Sequence, residues 1–225
     1  MLFCETKKFV FIAVPKTGTT SIHSKLKNID SDVAHNKIKT PQGEWINVRT
    51  HITAAEVQYI LGDNANNYTF VAFIRDPREV ILSKYHFYKS GRAHRQHGLF
   101  QAKPFTKDFK ISIALRVLLA QSLPLKAWAS LYPFKSSSFF LTDNRNELKI
   151  DKLGVFDQLQ DDFTRIFSEL GYSHDELALN LENKSANTSS KNDLKTVEDI
   201  VLQKVPKDLE IYTTAKSLNI YDSKT

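Results

Sequence analysis

Phe9-Val10-Phe11-Ile12-Ala13-Val14-Pro15-Lys16-Thr17-Gly18-Thr19-Thr20-Ser21 is the stretch that decides the fold. Phe9 to Val14 is a continuous apolar, β-rich run, as expected of a buried parallel strand. Pro15 to Thr20 reads as a turn containing Gly18. From Thr19 the pattern becomes helical, with Ile22 and Leu26 four apart. Strand, tight loop and helix start together make an anion site. Main-chain N–H groups at a helix start point into the turn, and the helix dipole adds partial positive charge there. Gly18 lets the backbone approach an anion. Thr17, Thr19, Thr20 and Ser21 can donate hydroxyl hydrogen bonds, and Lys16 supplies a mobile full charge. The loop is not the G-x-x-x-x-G-K-[ST] pattern of nucleoside triphosphatases, because Lys16 precedes Gly18. An ordinary β–α turn is the plainer alternative.

The rest of the chain extends the same grammar. Trp45 to Thr50 reads as a second strand. Thr53-x-x-Glu56 forms a capping box ahead of Val57, Ile60 and Leu61, and Gly62 stops that helix. Tyr68 to Ile74 is a third strand, and Pro77 suits the first turn of a helix running to about Lys89. Residues 91–106 form an irregular basic loop, a lid, an acceptor surface or simply a solvated segment. Helices are expected over 108–122 and 125–131. Ser138 to Leu141 and Leu153 to Phe156 read as further strands. Gln158 to Leu170 carries Phe163, Ile166, Phe167 and Leu170 on one helical face, capped by Gly171. Residues 183–192 read as a polar loop, and helices over 193–204 and 207–218 close the chain. Strands alternating with helices imply an α/β three-layer sandwich around a mostly parallel sheet. The 225 residues fit a single domain, 1–225.

A second anchor lies in Phe73-Ile74-Arg75-Asp76-Pro77-Arg78-Glu79-Val80-Ile81-Leu82-Ser83. Arg75 ends a predicted strand, and Ser83 lies about two turns into the following helix. An Arg fork and a Ser hydroxyl can share one phosphate; a helix start with an Arg ion pair is the plainer alternative. Between the two anchors stands His51, at the end of the Trp45–Thr50 segment and just before a capped helix. Strand ends are where α/β proteins place their sites. A neutral His there can take a proton from an alcohol.

These residues resemble the sulfotransferases that use 3′-phosphoadenosine 5′-phosphosulfate (PAPS). Pro15-Lys16-Thr17-Gly18-Thr19-Thr20-Ser21 is similar to their 5′-phosphosulfate loop, of which cytosolic members carry a variant with Ser for Thr17 and Trp for Ser21. Arg75 with Ser83 resembles their 3′-phosphate motif. Val80 and Tyr85-His86-Phe87 look like the cytosolic branch. Arg49-Thr50-His51-Ile52 is similar to the Lys-Thr-His-Leu element that carries the catalytic base. Phe156-Asp157-Gln158-Leu159, Asn183-Lys184-Ser185, Asp208 and Tyr212 resemble compact glycan-type members. In that type a loop before the last helices completes the 3′-phosphate pocket, which points to Lys184, Ser185 and Lys191. The Arg-Lys-Gly element that does this in cytosolic members is absent. The resemblance implies a P-loop-kinase-like sulfotransferase fold and a sulfuryl transfer in line from PAPS to an acceptor hydroxyl, that of a carbohydrate. It implies His51 as general base, Lys16 stabilising the charge that builds on the departing phosphate, and no metal.

Composition narrows the alternatives. Charged residues make up 25% and hydrophobic ones 41%, a globular profile, and the formal net charge of +6 favours anionic partners. The excess forms no single Lys/Arg tract, so a nucleic-acid partner rests on charge alone and is not expected. Cys4, the one cysteine, can form neither an intrachain disulfide nor a multi-cysteine zinc site. The first apolar run is too short to span a bilayer and has no cleavage pattern, so the expected setting is cytoplasmic. Asn67, Asn183 and Asn187 begin glycosylation sequons, which matter only in the secretory pathway. A nucleotide kinase would need a Lys-Ser/Thr pair that the loop lacks, and an inactive nucleotide-binding module would not need Lys16 and His51. The oligomeric state has no signature in the sequence.

Overall fold

The computed structural model describes residues 1–93, 107–180 and 190–222. The described chain divides into two compact units. One comprises Met1–Asp76, Lys135–Lys184 and Lys207–Thr225, the other Pro77–Phe134 and Ser185–Pro206.

The first unit is built on a five-stranded sheet: β1 (Leu2–Cys4), β2 (Phe9–Ile12), β3 (Val33–His35), β6 (Thr69–Ile74) and β7 (Lys152–Val155), in the order β3-β1-β2-β6-β7. The pairings β2–β6 and β6–β7 are parallel, as the apolar runs predict, while β1 joins β2 and β3 antiparallel at one edge. Period-two alternation sends side chains to two separate cores. Val10, Ile12, Phe70, Ala72 and Ile74 pack on one face, against Val57 and Leu61 of α2 (Ala54–Leu61) and Ile211 and Ala215 late in the chain. Phe9, Phe11, Val71 and Phe73 pack on the other, against Ile22 and Leu26 of α1 (Thr19–Ile29) and the later Phe163, Ile166 and Phe167. The three layers inferred from the sequence are therefore present in this unit.

Two expected strands differ. Trp45–Thr50 contributes only β5 (Trp45–Asn47), which pairs antiparallel with β4 (Lys37–Lys39) in a ribbon outside the main sheet. Its side chains are exposed or half-buried, so it lacks the two-sided burial of a central strand. Ser138–Leu141 is a short helix, α6, rather than a strand. The carboxylate of Asp208 accepts hydrogen bonds from Ser137 N (2.6 Å) and Ser138 N (2.7 Å), a tertiary cap that no local pattern announces. Three short strands, β1, β3 and β4, have no counterpart among the expected elements; three residues are too few to show a period.

The second unit packs α3 (Pro77–Lys89), α4 (Lys107–Ser122), α5 (Leu125–Leu131) and α8 (Lys191–Lys204) around Tyr85, Tyr88 and Trp128. Trp128 stacks on Tyr132 with centroids 4.6 Å apart. Lys204 donates to the carbonyls of Ala129 (3.1 Å) and Tyr132 (3.2 Å) and to that of Ser130, satisfying chain left open where α5 ends. The polar segment expected over 183–192 lies largely outside the described residues; Ser190 caps α8, its hydroxyl accepting from Asp193 N at 3.1 Å. The first unit also holds α7 (Leu159–Glu169), which Gly171 ends at a φ of 86°, and α9 (Pro206–Asp222).

Gly154 on β7 stands opposite Phe73 on β6, and a Cβ there would overlap the Phe73 ring. Gly154→Ala is expected to destabilise the fold by about 1–3 kcal/mol, lowering the thermal midpoint by about 2–12 °C. Phe73→Leu should recover part of that loss in the double variant. Equal melting of Gly154→Ala and wild type would show that the ring does not need this space.

Candidate active site

Parallel pairing in register places the ends of β2 and β6 side by side, Ile12 opposite Ala72. The chain leaving β2 forms the loop Val14–Gly18; the chain leaving β6 is Arg75. Arg75 Nη1 donates to Lys16 O at 3.5 Å, and its guanidinium lies 4.3 Å from the centre of the Phe156 ring, just past β7. The two predicted anchors of this unit therefore meet at the C-terminal end of three parallel strands, where open α/β sheets bind ligands.

The loop's backbone is held from inside. Thr17 is fully buried and its hydroxyl donates to Val14 O at 2.9 Å, as does that of Thr19 at 2.8 Å. Both hydroxyl protons, expected from the sequence to serve an anion, are directed at this carbonyl and brace the turn. Lys16 adopts a φ of 73° and Gly18 one of 78°. The first is strained for a residue with a side chain. Gly18 is needed twice over, since a Cβ would also meet Leu159 Cδ2 at 2.7 Å and Phe156 Cε2 at 3.2 Å.

The helix start suits an anion. No side chain caps α1, its first turn holds no acidic residue, and the first helical bond is Ile22 N to Gly18 O at 3.3 Å. The N–H groups of Thr19, Thr20 and Ser21 precede that bond, so they lie outside the helix's own ladder. Thr20 is exposed, Ser21 buried. With Lys16 in the same loop, this donor set fits a sulfonate or phosphate group.

His51 is positioned by a tether and not by a strand end. It lies on an exposed turn after the β4–β5 ribbon, and its Nδ1 is 2.6 Å from Ala13 O, the carbonyl just before the loop. A carbonyl only accepts, so Nδ1 carries the proton and Nε2 keeps the lone pair in the neutral ring. The turn itself is clamped. Arg49 donates through Nε to His51 O (3.1 Å) and through Nη2 to both oxygens of Glu56, whose Oε2 also accepts from Thr53 N (2.9 Å) in the capping box.

Of the remaining predicted residues, Ser83 lies half-buried on α3 of the second unit. Lys184 and Ser185 fall outside the described residues, as do most of the basic loop, 94–106, and the sequons at Asn183 and Asn187. Lys191 opens α8 and is exposed. Asp157 is a site residue whose role the sequence does not disclose. It accepts from Tyr212 Oη at 2.7 Å and from Lys216 Nζ at 2.9 Å. Burial pushes its carboxyl up, but Tyr212, Lys216 and Arg75 outweigh that and hold it below the usual range. The signal is the i,i+4 pair Tyr212 and Lys216 on α9, a spacing that sets both on one helix face.

The model of the sulfotransferase family matches residues 1–223. This chain belongs to the sulfotransferase family. The match runs through the residues of both units, and the loop, Arg75 and His51 all lie within it. Comparison with curated proteins and with solved structures gives no match. The chain is therefore a sulfotransferase by its whole described length, with a five-stranded sheet parallel through its middle. No helix of the described residues is long and apolar enough to cross a membrane.

His23, one turn into α1 of this sulfotransferase, links the site to stability. Its ring meets Phe11 at 5.6 Å and His35 at 5.0 Å, and its Nε2 is buried without a hydrogen-bond partner. Burial, reinforced by the nearby N-terminal amine and then by His35, His51 and Lys27, each of which disfavours a further positive charge, lowers its pKa to about 3. The unfolded ring takes a proton near 6.5 while the folded one resists, so stability is full above that pH and falls as pH drops toward 3. Between pH 7 and pH 5 the protein should lose about 1–2 kcal/mol through this group, discounted for its residual exposure. His23→Phe should flatten that part of the pH–stability curve in denaturant titrations; an unchanged slope would assign the loss elsewhere.

Proposed function

We propose that this sulfotransferase moves a sulfuryl group from PAPS to a hydroxyl of a carbohydrate, with His51 as general base. The observation that carries the reading is the hydrogen bond between His51 Nδ1 and Ala13 O. It ties a lone-pair-bearing Nε2 to the loop whose N–H groups suit a sulfonate. Bound PAPS supplies an activated sulfuryl group on a phosphate leaving group. The N–H groups of Thr19, Thr20 and Ser21, with Lys16, would hold its 5′ end. Arg75, its guanidinium over the Phe156 ring, would hold the 3′-phosphate.

His51 Nε2 accepts the proton of the acceptor hydroxyl as that oxygen becomes a nucleophile. The Nδ1–carbonyl bond strengthens as the ring gains charge, which steadies the imidazolium without a carboxylate partner. Lys16 contributes positive charge at the loop, where negative charge must be compensated during transfer. The family match over 1–223 supports treating both units as one catalytic domain.

Assays with labelled PAPS and a panel of carbohydrates test this directly. His51→Ala should lower turnover by about 10²–10⁴, with the dissociation constant of 3′-phosphoadenosine 5′-phosphate nearly unchanged. Lys16→Ala should lower turnover and nucleotide affinity together. Arg75→Ala should weaken nucleotide binding by about tenfold to over a hundredfold and abolish selectivity for the 3′-phosphate. Near-normal turnover in His51→Ala would remove it from the mechanism, and calorimetry showing ATP bound as tightly as the 3′,5′-bisphosphate would favour a kinase.

A further inference from the structure

A groove of about 870 Å³ opens in the first unit between α2 and α6. Its volume is in the range of ligand sites, about 300–1,000 Å³. Ile52 and Thr53, the two residues after His51, belong to its lining. The lining therefore includes the residues that directly follow the proposed base in the chain.

Its walls have a particular chemistry. Tyr59 lines it with 89% of its surface exposed and Phe139 with 46%. Two large aromatic rings left to solvent in one concavity mark an interaction site. Lys135 packs its ammonium 4.7 Å from the centre of the Phe139 ring and does not itself line the groove. Asn144 and Asn146, whose side chains are amides, also belong to the lining. Both belong to a turn set by Asp143, whose Oδ1 accepts from Arg145 N (2.8 Å) and Glu147 N (3.0 Å), with Asn146 N donating to Asp143 O at 3.0 Å. The amides are thus carried on ordered backbone. Each offers donors and an acceptor, the complement of a hydroxyl group that is both.

Charge points the same way. The lining contains no Lys or Arg, and its ionisable carboxylates are those of Glu56 and Asp143. Both are already engaged, Glu56 by Arg49 and Thr53, Asp143 by Lys149 at 3.1 Å and its turn N–H groups. For Asp143 and Glu56 alike, these partners outweigh the upward effect of desolvation and hold the carboxyl below its ordinary range. They stay ionised and, with no Lys or Arg in the lining, oppose an acidic sugar instead of pairing with it. We propose that this groove is the acceptor subsite and that it takes an uncharged oligosaccharide, stacked by its C–H faces on Tyr59 and Phe139 and bonded through hydroxyls to Asn144 and Asn146. The proposal rests on the carbohydrate sulfotransfer reading above and gives its acceptor a class.

The test compares neutral oligosaccharides (chito- and cello-oligosaccharides) with acidic ones (oligogalacturonides and unsulfated chondroitin fragments). Binding is read by ¹H–¹⁵N chemical shifts in the presence of 3′-phosphoadenosine 5′-phosphate, and sulfation with labelled PAPS. Neutral oligosaccharides should bind and be favoured in kcat/KM by about tenfold or more. Tyr59→Ala should weaken their binding about threefold to tenfold, and Tyr59→Phe by less. Asn144→Lys with Asn146→Lys should shift preference toward the acidic set. Nucleotide affinity reports that each variant is folded. Preference of the wild type for acidic acceptors, or neutral binding indifferent to Tyr59→Ala, overturns the subsite. Failure of the protein to bind the nucleotide at all would instead overturn the PAPS reading.

Discussion

The parallel pairing of β2 with β6 is the constraint on which the site depends. Because the two strands run the same way and in register, they end together, and their continuations emerge at one edge of the sheet. One continuation is the loop from Val14 to Gly18; the other is Arg75. Arg75 reaches Lys16 O from there, and Phe156, just past the next parallel strand, supports its guanidinium. An antiparallel arrangement of the same strands would send loop and arginine to opposite ends of the sheet.

The loop itself is a compromise between strain and support. A left-handed lysine costs about 1–3 kcal/mol unless its surroundings enforce it. Here the two threonine hydroxyls fastened to Val14 O and the close packing of Gly18 on Leu159 and Phe156 do so. The result is a helix start that no side chain caps, at the end of the parallel strands. His51 adds a proton acceptor by different means. It stands on a clamped turn and reaches the sheet through a single short bond to Ala13 O, which also selects its tautomer.

Global charge and local charge part company in this molecule. The chain carries +6, yet the groove beside His51 is lined without a lysine or arginine and shows two exposed aromatic rings. Arg49 and Lys149 near it are paired with Glu56 and Asp143, while Lys135 lies over the Phe139 ring. A basic surplus thus says little about the acceptor, because side chains are paired in space and not along the chain.

Much of the fold was legible in the sequence wherever a run was long enough to show its period or its cap. Phe9–Val14, Tyr68–Ile74, the Thr53–Glu56 box and the Gly171 stop all correspond to observed elements, because strand burial, capping and positive φ are local demands. Tertiary structure decided what local demands leave open. Ser138–Leu141 has the composition of a strand and is a helix, since Asp208, about seventy residues on, caps its first N–H groups. Trp45–Asn47 forms a strand but pairs in a ribbon, so His51 owes its place to Ala13 O. Asp157 drew its partners from α9, and the Thr17 and Thr19 hydroxyls turned inward. Sequence thus set which backbone each segment could adopt, whereas partners distant along the chain, brought near only by packing, set where each polar group's hydrogen bonds went.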